Sequence, residues 1–127
     1  MDKITVSMLS GCDIGYPDDD NSTPQGTDFK KMIEAGAQFC IIRAGQNVGK
    51  DPDWDSNYQG AGAAGMLRGA YWVLDYRKPV TPQIETCLSV LRACPVEIPV
   101  WLDVEYVSRW GAGGCTGRDG DKVYLVV

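Results

Sequence analysis

The sequence predicts an α/β domain: a partial (β/α) barrel of the TIM type, with about four βα units and an irregular C-terminal tail. Two observations predict it. Short apolar, β-prone runs alternate with helix-like stretches in the order β-α-β-α-β-α-β, the pattern of a parallel sheet covered by helices. Strand starts near residues 39, 67 and 100 also repeat at roughly thirty residues, the length of one βα unit. Eight such units need roughly 240 residues, and the 127 present amount to about half of that. The expectation is a single, truncated domain over residues 1–127.

The elements follow from local chemistry. Met8 to Ile14 is the first strand. "GYPDDDNSTPQG" is a polar loop of turn residues. Thr27 caps a helix from Asp28 to about Ala35, with Phe29, Met32 and Ile33 on one face and Gly36 as its stop. Phe39 to Gly45 is the second strand, and "QNVGKDPDWDS" a loop. Asn57 to Ala64 forms a small-residue helix ended by Gly65, and Leu67 to Leu74 the third strand. Thr81 caps the next helix with Pro82 at its favoured first position, and Ile84, Cys87, Leu88 and Leu91 mark the buried stripe. Val100 to Glu105 is the fourth strand. The Gly-rich run after Tyr106 has no helical stripe and leaves no room for another parallel crossover before a last short strand, "KVYLVV".

Composition narrows the chemistry. Hydrophobic residues make up 44%, enough for a core. Net charge is -5, from 12 basic and 17 acidic residues, which argues against nucleic acid as a partner. No run approaches the roughly 18 apolar residues of a membrane span, and the N-terminus is not a convincing signal peptide. Histidine is absent, which removes Ser-His-Asp and Cys-His catalysis and His-liganded zinc. The five cysteines show no CxxC spacing and read as reduced, mostly buried small hydrophobes. "GAGAAG" (60–65) matches a nucleotide fingerprint, but a helix precedes it and a strand follows, the reverse of the required order. Asp51, Asp53 and Asp55 begin like a calcium loop, but Ser56 stands where glycine is needed and Gly62 where glutamate is. A solvated loop with a helix cap explains those acids.

The stretch that carries chemistry is "PVWLDVEY" (99–106). Asp103 and Glu105 are two residues apart on one strand and so share a face, with Cα atoms roughly 6.6 Å apart. Asp13 ends the first strand, and parallel α/β folds bind ligands at the carboxyl ends of their strands. The three acids are expected at one mouth, joined by Arg43 and Tyr71. Neighbouring carboxylates push one pKa up, so that a proton donor sits beside an anion, the pairing glycoside hydrolysis uses. The residues alone leave open a carboxylate pair salt-bridged to Arg43 or a lysine, and a Mg²⁺ site with oxygen ligands.

With their neighbours, these residues resemble the glycoside hydrolase family 25 lysozymes, the Chalaropsis-type muramidases. "GCDIG" (11–15) resembles the family's opening strand, and "AGAQFCIIRAG" (35–45) its second, with Arg43. "DPDWDSNYQGAGAAGMLRGAYWVL" carries its run of Asp53, Trp54, Asn57, Ala64-Gly65, Gly69 and Tyr71. "IPVWLDVEY" resembles the signature Asp-x-Glu strand. The similarity covers residues 8–106 and only the first half of the domain. It implies hydrolysis of the β-1,4 bond between N-acetylmuramic acid and N-acetylglucosamine in bacterial peptidoglycan, without a cofactor. Glu105 would be the general acid, Asp103 would assist at the sugar centre, and Asp13 would complete the acidic mouth. Tyr71, Arg43 and Tyr106 would contact substrate. The protein would act on the bacterial cell wall, secreted or phage-released. A half barrel leaves a strand edge open, so self-association through that edge is expected. The competing readings are a non-catalytic or vestigial sugar-binding module and a Mg²⁺-dependent barrel enzyme.

Overall fold

The computed structural model describes residues 8–18, 26–105 and 122–126. Four strands run parallel: β1 (Gly11–Ile14), β2 (Phe39–Gln46), β4 (Leu67–Val73) and β5 (Val100–Glu105). They lie side by side in chain order, each step made through a helix: α1 (Phe29–Glu34), α2 (Trp54–Ala63) or α3 (Val80–Ala93). A mixed α/β sheet stepping one place per βα unit is the partial barrel that the sequence predicts. A two-residue strand, β3 (Gly49–Lys50), folds back on β2, and β6 (Lys122–Val126) pairs antiparallel with β5. The last short strand expected within "KVYLVV" is thus present as β6.

The strand alternation sorts side chains onto two faces. One face packs against the helices: Ile14, Cys40, Ile42, Ala44, Ala70 and Trp72 join Phe29, Trp54, Ala61 and Cys87 in one core. Trp72 is fully buried and donates its indole N–H to the Asn47 carbonyl at 3.0 Å. The opposite, inner face carries Gly11, Asp13, Phe39, Ile41, Tyr71, Trp101 and Asp103 around a cavity.

The "GAGAAG" stretch is a packing device. Ala61 is fully buried, and a Cβ on Gly62 would stand 2.5 Å from the Arg68 guanidinium. Gly65 takes a positive φ of 81° after α2 ends. Arg68 in turn lies 4.1 Å over the Tyr58 ring and donates to Glu97 through its backbone N–H (2.8 Å), Nε (3.1 Å) and Nη2. This cluster closes the end of β4 remote from the acids.

Three local expectations differ from the structure. Asp28, not Thr27, caps α1: its carboxylate accepts the Lys31 N–H at 3.1 Å. The helix from Val80 starts a residue before Thr81, and its buried positions are Gln83 and Cys87, while Leu88 is exposed. The cause is polar. The Gln83 amide donates to the carbonyls of Asp75 (3.0 Å) and Pro79 (3.0 Å) and accepts the Asp75 N–H (2.9 Å), so turning it inward satisfies backbone groups of the loop before the helix. Asp51 and Asp53, read as solvated, are buried; only Asp55 is exposed, paired with Lys50.

Candidate active site

The inner face is built for a ligand by what it leaves out. Gly11 lets the Phe39 ring lie where a Cβ would be, 2.4 Å from the position it would take. Gly69 does the same for Ile41 and Trp101. These apolar groups form the floor of a cavity of about 340 Å³, within the size range of small-molecule sites. Asp13 from β1, Tyr71 from β4 and Asp103 from β5 bring polar groups to the same cavity.

Register fixes their neighbours. Tyr71 lies between Arg43 on β2 and Trp101 on β5, and Asp103 pairs with Val73. Asp13 is exposed, while Asp103 is only 1% exposed. Asp103, expected at the mouth with the other acids, is therefore a buried member of the group. Its strand is interior to the sheet, with β4 on one side and β6 on the other. Burial pushes the Tyr71 phenol well above its ordinary pKa, against an opposing pull from the Arg43 charge. Tyr71 is a neutral hydroxyl at neutral pH, able to donate and accept.

Arg43 faces a second partner that the sequence does not reveal. Its Nε–H is donated to Asp51, whose carboxylate also accepts the backbone N–H of Tyr16 (3.2 Å) and of Asp53 (2.9 Å). One buried carboxylate thereby ties the end of β2, the turn after β1 and its own loop together at the carboxyl rim. Gly15 completes this arrangement: a Cβ there would fall 2.9 Å from the Arg43 Cβ and 3.1 Å from the Tyr71 hydroxyl. Arg43 itself lines a neighbouring cavity with Gln46, Asn47, Lys50 and Asp51.

Glu105 is the last residue of β5, opposite Lys122 on β6. Tyr106 lies outside the described residues. Among the described residues, no three His, Cys, Asp or Glu side chains assemble into a group able to hold a metal ion. No described helix is long and apolar enough to cross a membrane.

Solved structures share this fold. A family 25 lysozyme from Aspergillus fumigatus is 29% identical over 80% of this chain, with a TM-score of 0.62. A family 25 glycosyl hydrolase from Bacillus anthracis superposes over 80% of the chain at a TM-score of 0.68 and 18% identity. The chain has the fold of a partial family 25 glycoside hydrolase domain. It spans 48% of the first of these proteins and 45% of the second, a little under half. The modular autolysin LytC from Streptococcus pneumoniae, solved with a synthetic peptidoglycan ligand, is similar over 75% of this chain and 23% of its own, at 21% identity and a TM-score of 0.60. No family model matches the sequence, and no curated protein matches it.

Proposed function

We propose that this chain carries the acid-bearing half of a peptidoglycan-cleaving lysozyme site, acting on the β-1,4 bond between N-acetylmuramic acid and N-acetylglucosamine. The observation that carries the reading is the shared cavity of Asp13, Tyr71 and Asp103 over an aromatic floor. Sugars present apolar ring faces and polar edges, and such a cavity offers each a partner. The similarity to a lysozyme and to an autolysin solved with a peptidoglycan ligand supports the same substrate.

In this reading Glu105 is the general acid. Its carboxyl proton passes to the glycosidic oxygen as the bond from that oxygen to the sugar C1 breaks. Asp103, two residues earlier on the strand, stabilises the positive charge developing at C1, directly or by orienting the 2-acetamido group. A low-dielectric position makes that stabilisation larger than it would be in water. Water then adds to C1 and returns a proton to Glu105. Asp13 completes the acidic mouth, and Tyr71, Arg43 and Tyr106 bind the glycan. No metal or cofactor takes part.

The test is digestion of purified peptidoglycan by the 127-residue chain, with the released fragments read by mass spectrometry. Fragments ending in a reducing muramic acid, lost in Glu105→Gln, are expected. Folded protein that binds the glycan and releases nothing would identify a sugar-binding module instead.

A further inference from the structure

Cys12 and Cys40 are direct register partners on the parallel strands β1 and β2. Neighbouring strands run about 4.8 Å apart, inside the roughly 4.4–6.8 Å window of Cα separations that a disulfide spans. The two sulfurs lie 3.8 Å apart in a thiol–thiol hydrogen bond, so both side chains leave the sheet on one face and already meet. Both are free thiols. Cys40 is fully buried, whereas Cys12 is half-buried on β1, which among the described residues pairs with no strand but β2.

We infer that Cys12 and Cys40 form an oxidation site, a thiol pair that a small disulfide oxidant converts into an intramolecular cross-link between β1 and β2. Cys12 is the entry point. It is the more accessible residue of the two, and its hydrogen bond with Cys40 favours its thiolate, lowering its pKa. The same contact, with burial, holds Cys40 in the thiol form.

The chemistry balances with a low-molecular-weight disulfide such as oxidised glutathione. The Cys12 thiolate attacks one glutathione sulfur, the glutathione S–S bond breaks, and one glutathione thiolate leaves. The charge on Cys12 that opposed ionisation of Cys40 is then gone. The Cys40 sulfur attacks the Cys12 sulfur, the bond from Cys12 to glutathione breaks, and the Cys40 proton leaves on the departing glutathione sulfur. Two protein thiols are oxidised by two electrons, and one glutathione disulfide is reduced to two thiols.

The bond staples an edge strand to the sheet and closes a loop between positions 28 apart in sequence. Cross-links of this kind restrict the unfolded chain. The strand they fix is the one that carries Asp13, the residue next to Cys12.

The test treats the full chain with oxidised glutathione, alkylates the remaining thiols and maps the peptides by mass spectrometry. The expected product is a linked pair of peptides containing Cys12 and Cys40, two hydrogens lighter than the free pair, reversed by dithiothreitol and melting at a higher temperature than the reduced chain. Cys40→Ser is expected to stop at a stable glutathione adduct on Cys12. The wild-type map decides the matter even if that variant does not fold. Stable adducts in the wild type without a linkage, unreacted thiols at both positions, or a linkage through Cys87, Cys94 or Cys115 would overturn the inference.

Discussion

Arg43 donates its Nε–H to Asp51, and the Asp51 side chain has no exposed surface. A buried carboxylate that accepts a guanidinium and two backbone amides holds three pieces of chain in one arrangement. Those pieces meet at the carboxyl end of the sheet, the rim next to Asp13 and Tyr71. Breaking one partner of such a pair leaves a buried charge uncompensated, at a cost of about 3–5 kcal/mol.

Asp51→Ala is therefore expected to lower the unfolding free energy by about that amount, read by urea denaturation. Asp51→Asn keeps the shape and part of the hydrogen bonding and is expected to lose less. Equal stability of Asp51→Ala and the parent would show that the pair does not hold the rim.

Gly15 makes a narrower prediction. A methyl group there meets the Arg43 Cβ at 2.9 Å and the Tyr71 hydroxyl at 3.1 Å. Gly15→Ala must displace one of them, and overpacking of this kind typically costs about 1–3 kcal/mol. Weakened glycan binding is expected to accompany that loss, because Tyr71 lines the site and Arg43 holds its rim. Calorimetric titration with a soluble peptidoglycan fragment checks this, and unchanged affinity would place Arg43 and Tyr71 outside the glycan contacts.

Much of this architecture is legible in the sequence because it rests on apolar runs. Phe39 to Gly45 and Leu67 to Leu74 alternate between two covered faces, and the strand-end rule leads directly to Asp13 and Asp103. What is not legible is polar burial. Gln83 and Asp51 look like solvent-facing residues until the loop carbonyls and the guanidinium they serve are seen. Asp103 reads as an open mouth residue, yet it is 1% exposed, because burial depends on strand order and not on local hydropathy. Asp53, which the resemblance picks out, is likewise buried at the start of α2.

The far end of the sheet sets a pH response. The Arg68 guanidinium holds the Glu97 carboxyl down at about 2. A carboxyl depressed in the folded state contributes stability above its unfolded pKa and loses it as pH falls through the folded value. Wild-type protein is thus expected to lose stability between about pH 5 and pH 2 relative to Glu97→Gln. Glu97 is partly exposed, so solvent screening limits the difference to about 1 kcal/mol. Thermal melts of both proteins across that range measure it, and parallel curves would contradict the assignment.

Edge strand β1 carries a further expectation. Among the described residues it pairs on one side only, and an open edge recruits another strand. Sedimentation velocity is expected to show association that grows with protein concentration. A monomer at every concentration, with a cooperative melt, would mean that the edge is protected.

The central claim is that the inner face, not the helix-covered one, receives the glycan. Backbone amide NMR of the labelled chain during titration with a soluble muramic acid–glucosamine oligosaccharide tests it whether or not the chain turns over substrate. Saturable shifts at Asp13, Gly69, Tyr71, Trp101 and Asp103 are predicted, with Ala61, Cys87 and Trp54 unmoved. Shifts confined to the helices, or no shifts at saturating oligosaccharide from folded protein, would contradict it.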